Sequence, residues 1–267
     1  IEIIPSLFTR ESSTHGADLI VCKMTLEHIP NPGSFLKTVR QSIPDREDPV
    51  LFIQVPNVGH ILEEGAFWDL YYEHCSYFSA GTLARIFRRS GFDVLDLWTD
   101  YENQYLMIEA RPAAQSSRSE QAHDREESVS SLARRVTRFA DEMAVNLGAW
   151  SRLFEGALSA QTRIAIWGGS SKTVGFVTAL GVTDSSVLVV DINPNKHGTY
   201  LPGSGLPIVG PESLPDFKPD IIVIMNPIYR EEIEKNLKRL GLSSDIWTLD
   251  DEPGTMQTFR RTPDRYL

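Results

Sequence analysis

Cysteine is scarce in this chain: Cys22 and Cys75 are the two thiols in 267 residues, and they form no C-x-x-C pair. That excludes a disulfide framework and a cysteine-rich zinc ribbon, and it fits a reducing, cytoplasmic setting. Basic residues are in deficit too, 26 Lys and Arg against 36 Asp and Glu, for a formal net charge of −10. Such a balance argues against nucleic acid as a partner. Long apolar runs are lacking: Ile221 to Met225 is strand length, far short of the roughly 20 residues that cross a bilayer. No membrane span is expected. No secretory leader is visible and no initiator methionine is present. Because Ile1 already lies in what reads as a strand, the chain is expected to be a fragment of a longer protein.

What is present is ordinary for a globular chain, and 267 residues predict two domains with separate cores. Ala17 to Cys22 reads as a buried strand, Gly33 to Ile43 as an amphipathic helix, and Val50 to Val55 as a second strand. A helix from Ala80 to Ser90, stopped by Gly91, precedes strands at Phe92–Trp98 and Tyr105–Ala110, the last two forming an antiparallel hairpin. Residues 1–112 are therefore expected to be an incomplete α/β sheet. Residues 113–128 read as a polar linker. From Val129 to Leu158 apolar residues recur every three or four positions. This predicts a helix of about 30 residues, roughly 45 Å long, suited to a strut between domains or a homodimer contact; it completes a middle segment over 113–161. A second, Rossmann-like α/β domain is expected over 162–267, with strands at 164–167, 187–190, 221–225 and 246–249.

Several motifs carry candidate chemistry. Gly168-Gly169-Ser170-Ser171-Lys172-Thr173 follows a strand and opens a helix, as phosphate-binding turns do. It lacks the Gly before Lys of a P-loop, and Ser170 and Thr173 stand where a dinucleotide fingerprint needs glycine. Asp191 lies where a ribose-binding acid would, so an NAD-dependent oxidoreductase is a weak alternative. A nucleotide-sugar subsite and a purely structural turn are the other readings. Asn226 and Tyr229 follow another strand at its C-terminal end, where open α/β sheets hold ligands. Glu27–His28 repeats the dipeptide Glu73–His74, but no H-x-x-x-H spacing accompanies either, and a metal site is not expected.

The stretch Phe67 to Ser79, FWDLYYEHCSYFS, surrounds Glu73–His74 with six aromatic rings. An acid–base pair beside apolar rings suits proton abstraction from a weakly acidic carbon. If the stretch is helical, Tyr71 and His74 share a face. The bland alternative is a half-buried helix whose rings are core.

With these residues in hand, the chain resembles the class I S-adenosylmethionine-dependent methyltransferases. Asp18 to Pro32, with Leu26-Glu27-His28, is similar to the fourth strand and following loop of that fold. Tyr71-Tyr72-Glu73-His74 with Tyr77-Phe78-Ser79 resembles the C-methyltransferases of deoxysugar biosynthesis, which methylate a carbon beside a keto group on a nucleotide-linked sugar. Val190 to Pro194 with Lys196, Gly198 and Tyr200 to Gly203, then Asp220 to Tyr229, resembles their Rossmann-like C-terminal domain. The resemblance implies His74 as base, with Glu73, Tyr71 and His28 beside it. It implies cofactor contacts at Cys22, Lys23, Met24 and Glu27, and substrate contacts at Asn57, Gly168, Lys172, Asp191, Asn226 and Tyr229. The family's glycine-rich cofactor motif and its cysteine-rich zinc module are not in this sequence, and Tyr101-Glu102-Asn103-Gln104 replaces a His-Gly-Gly segment. S-adenosylmethionine is thus expected to be the parent protein's cofactor, with weak or no binding and no activity in the fragment alone. Zinc is expected only in an N-terminal module. A non-catalytic nucleotide-sugar-binding module is the rival expectation.

Overall fold

The computed structural model describes residues 3–12, 16–44, 48–114 and 122–251. The chain divides into two compact units, Ile1–Glu63 with Tyr72–Thr137 and Glu64–Tyr71 with Arg138–Leu267.

The first unit is built on strand β1 (Leu19–Lys23), helix α1 (Pro32–Ser42) and strand β2 (Val50–Pro56). Asn31 caps α1 by accepting from the Ser34 amide at 3.1 Å, and Pro32 opens it with a preset φ. β1 and β2 run parallel, Leu19 opposite Val50. Helices α2 (Val58–Glu64) and α3 (Ala80–Arg89) follow, then the hairpin β3 (Phe92–Asp100) and β4 (Tyr105–Pro112). β4 inserts between β2 and β3, antiparallel to both, and the order is β1-β2-β4-β3. The period-two sets Leu51, Ile53, Val55 and Leu106, Ile108, Ala110 stand opposite one another and face one core, which α1 closes with Leu36 and Val39 and α3 with Leu83, Ala84 and Phe87.

Two expectations need correction here. Phe67 to Ser79 is not a helix: one 3-10 turn (Phe67–Asp69) ends in extended Leu70, and the chain runs irregularly to Ser79, so Tyr71 and His74 do not share a helical face. The reason is the demand of Phe67 and Trp68 for a core that a surface helix does not offer. The predicted linker is also only partly one. Residues 115–121 lie outside the described residues, but Glu126 pairs with Arg88, and the Glu127 carboxylate accepts from the Ser79 hydroxyl (2.6 Å) and the Gly81 amide (3.1 Å). Glu127 thereby places a negative charge at the N-terminus of α3. Helix α2 was not foreseen. Its heptapeptide is too short to show periodicity, and it is started by Asn57, whose Oδ1 accepts from the Gly59 amide at 2.9 Å.

Helix α4 (Val129–Ser159) is the expected long helix, and the division between the units falls within it, after Thr137. In the second unit come β5 (Ile164–Trp167), α5 (Ser171–Leu180), β6 (Val187–Val190), β7 (Ile208–Val209), α6 (Leu214–Phe217), β8 (Ile221–Ile224), α7 (Arg230–Arg239) and β9 (Asp245–Thr248). Their sheet is parallel throughout, in the order β7-β6-β5-β8-β9. The chain steps outward from β5 through β6 to β7, then returns to β8 on the other side. β5 and β8 therefore flank a topological switch point. On one face Ala165, Trp167, Leu188, Val190, Ile222 and Ile224 pack with Leu214, Ile233 and Leu237. A second core is aromatic: Phe67 stacks on Phe176 at 5.9 Å, and Trp68, Trp150 and Phe154 also meet the Phe176 ring. Among the described residues no helix is long and apolar enough to cross a membrane.

Candidate active site

In the first unit the chain leaves β1 through Met24, at φ +47°, into a 3-10 turn of Leu26, Glu27 and His28. Leu26 anchors that turn in the core, which forces Glu27 inward to 1% exposure and leaves His28 at the surface, its side chain 41% exposed. The turn is stapled to the segment after Tyr72. The amides of Cys75 and Ser76 donate to the Glu27 carbonyl at 2.8 and 3.1 Å, and the Cys75 thiol donates to the His28 carbonyl at 3.4 Å. His28 Nδ1 donates to the Glu73 carbonyl at 3.1 Å. The outcome is an imidazole pair, His28 and His74, with ring centroids 4.9 Å apart and planes at 81°. Tyr77 stands beside His74 at 5.7 Å. Burial raises the Glu27 carboxyl above its ordinary pKa, with its own amide, the His28 imidazole and Thr25 pulling back more weakly.

Other residues expected at the site take separate places. Tyr71 belongs to the second unit; its hydroxyl donates to Asp69 Oδ1 at 2.7 Å, and Asp69 Oδ2 pairs with Lys172 at 3.2 Å. Glu73 offers its backbone carbonyl to His28. Cys22 packs on the core face of β1, where burial first and the Glu27 charge second raise its thiol pKa. Lys23 follows on the opposite face, exposed, and the Met24 amide donates to the Gln54 carbonyl at 2.9 Å. Asn57 is a brace: besides starting α2, its amide donates to the Asn103 carbonyl at 2.9 Å. That ties β2 to a turn in which Tyr101, Glu102 and Asn103 all take positive φ, between 54° and 63°.

In the second unit the turn after β5 requires its glycines. Gly168 has φ +116°, and a Cβ on Gly169 would lie 3.1 Å from Asp191 Oδ2. Asp191 holds this turn. Its Oδ2 accepts from the Gly169 amide and from Lys196 Nζ, both at 2.9 Å, and its Oδ1 from the Asn193 amide at 2.8 Å. Lys196 also donates to the Gly169 carbonyl at 3.0 Å. Burial pulls the Asp191 pKa up, but the Lys196 hydrogen bond, the two amides and the lysine charge outweigh it and leave the carboxyl below its ordinary value. Gly168, Asp191 and Asn226 all stand at the C-terminal ends of adjacent parallel strands, with Tyr229 one turn beyond Asn226.

Sequence reasoning missed Asp69 and Lys196 as organising groups. Asp69 sat within the Phe67–Ser79 stretch, but its partner Lys172 lies 103 positions on, and no local pattern links them. The five-residue separation of Asp191 and Lys196 was legible as an Asx-rich turn, yet only a folded loop returns the ammonium to the carboxylate.

A Rossmann-like half-sheet with one reversed strand inserted in it, a histidine pair that joins the loop after β1 to the segment before α3, and a second all-parallel Rossmann-like unit define a methyltransferase-type α/β protein. Residues 105–244 match the C-methyltransferase C-terminal domain, and residues 7–97 match a methyltransferase domain; the chain belongs to the C-methyltransferase family. It is similar to the C-methyltransferase NovU of Streptomyces niveus, 28% identical over 252 residues that cover 89% of this chain and 59% of that protein. The chain thus spans less than two thirds of that relative's length.

Proposed function

We propose that this chain is part of an S-adenosylmethionine-dependent C-methyltransferase that methylates the carbon alpha to a keto group on a nucleotide-linked deoxysugar. The observation that carries this reading is the His28–His74 pair, locked at 4.9 Å by backbone staples from Glu27 and Glu73. An imidazole has the right basicity to take a proton from carbon beside a ketone near neutral pH. In this reading His74 takes the alpha proton, His28 and a tyrosine hydroxyl steady the enolate oxygen, and the carbanion attacks the sulfonium methyl in line. The backbone supports the assignment, since an imidazole held by its neighbour's ring and a fixed loop costs little to orient at reaction.

His74→Ala in the protein that contains this chain is expected to lower methyl transfer by about 100-fold or more while S-adenosylmethionine still binds. Turnover equal to the parent's sinks the assignment.

A second reading is favoured by a different observation, the switch point between β5 and β8. There Gly168, Lys172, Asn226 and Tyr229 follow strand ends in the position where open α/β sheets hold nucleotides. In this reading the second unit recognises a nucleotide-sugar, with Asp191 fixing the glycine turn.

A further inference from the structure

We propose that Glu27, His28 and His74 form a binding site for a divalent transition-metal cation of the zinc or cobalt type. One ligand atom from each, a carboxylate oxygen and two imidazole nitrogens, lies within 4.8 Å of the other two. Two histidines and one carboxylate are the donor set of open, borderline metal sites, which keep positions free for water or a substrate oxygen.

Three observations beyond the clustering point to a cation. First, Glu27 is 1% exposed and neither carboxylate oxygen has a hydrogen-bond partner among the described residues. A buried carboxylate without hydrogen bonds is costly, and a coordinated ion is one of the few things that relieves it. Second, His28 donates Nδ1–H to the Glu73 carbonyl, which is how ligating histidines are oriented. In the neutral ring that bond leaves a bare lone pair on Nε2. Third, Nε2 stands 3.9 Å from Glu27 Oε1. That is too long for a hydrogen bond and leaves room for a cation between the two groups. The site is also preorganised, because the Cys75 and Ser76 amides bind the Glu27 carbonyl and fix the two ligand-bearing segments against each other.

One consequence rests on the function proposed above. A coordinated imidazole has no lone pair for a proton, so an ion bound here takes His74 out of its role as base and competes with the reaction. Binding itself is independent of that reaction.

The test is a Co(II) titration of the chain, followed by visible d–d absorption and by thermal unfolding. Bands that saturate at one equivalent, with a raised Tm, are expected. Both signals should be lost in Glu27→Gln and in His28→Ala, and kept in Cys75→Ser, which removes the neighbouring thiol. Absence of bands in the parent chain, their persistence in Glu27→Gln or His28→Ala, or their loss in Cys75→Ser overturns the proposal. His28 is surface-exposed, so its variant keeps the test valid should Glu27→Gln fold poorly. Missing bands together with a His74→Ala variant that stops turnover would remove the metal and leave the proposed function standing. Bands together with undiminished turnover in His74→Ala would do the reverse.

Discussion

At the scale of single residues, Asp191 shows how one carboxylate organises a turn. It takes hydrogen bonds from two amides and one ammonium, so the segment after β6 and the glycine turn after β5 are held by the same group. Removing it leaves the Gly169 and Asn193 amides short of an acceptor, while Lys196, partly exposed, recovers water. Asp191→Asn is expected to destabilise the second unit by about 1–3 kcal/mol near neutral pH. The folded pKa is depressed, so this contribution is fully present above the unfolded value and is lost as pH falls through the folded one. Urea unfolding at a series of pH values should therefore show a constant gap between parent and variant from neutrality down to about pH 5. The gap should close only in stronger acid; one that closed on raising pH would contradict the assignment. The importance of Asp191 was legible from its position at the end of a strand. Its use by the protein's own lysine was not, because that depends on the path of the loop from Asn193 to His197.

At the scale of elements, α4 ends without the glycine that usually stops a helix. Gln161 takes the left-handed position instead, at φ 58°. The Thr162 amide donates to the Ala157 carbonyl and the Gln161 amide to the Leu158 carbonyl, both at 2.9 Å, the pairing of a Schellman end. A side chain in that conformation carries strain. Gln161→Gly should relieve it and stabilise by about 0.5–1 kcal/mol net of the greater freedom of glycine in the unfolded chain. The readout is the denaturant midpoint, expected to rise; a midpoint unchanged or lowered would show that the end is not strained. The body of α4 was readable from apolar spacing, because a 31-residue repeat overwhelms local noise. The segment from Phe67 to Ser79 was not, because its rings look like a helical stripe. Phe67 and Trp68 instead fill the aromatic core around Phe176, and α5 is admitted that closely because Gly175 lacks a side chain: a Cβ there would lie 3.1 Å from the Trp68 carbonyl.

At the scale of the whole molecule, the two units carry different equipment. Among the described residues of the first unit, neither β1 nor β2 is followed by a glycine-rich phosphate turn; His28 follows β1 instead and meets His74 from the segment before α3. The second unit has the glycine turn and the switch point. Calorimetry of the 267-residue chain is therefore expected to detect binding of a nucleoside diphosphate sugar and none of S-adenosylmethionine alone. Cofactor binding without sugar-nucleotide binding would count against the proposed division of roles.

The sequence by itself determined the α/β class, the two Rossmann-like sheets, the long helix and the family, because strand alternation, helical spacing and ordered motifs are local in the chain. Only the tertiary structure decided which chemistry-bearing groups meet. His28 and His74 are 46 positions apart, Asp69 and Lys172 more than twice that, and their pairing depends on how backbone hydrogen bonds and buried side chains fold intervening segments. The tertiary fold also buried Glu27 beside two imidazoles, turning a common Leu-Glu-His tripeptide into a cluster with the donors of a metal site. Burial, which no single sequence displays, made that difference.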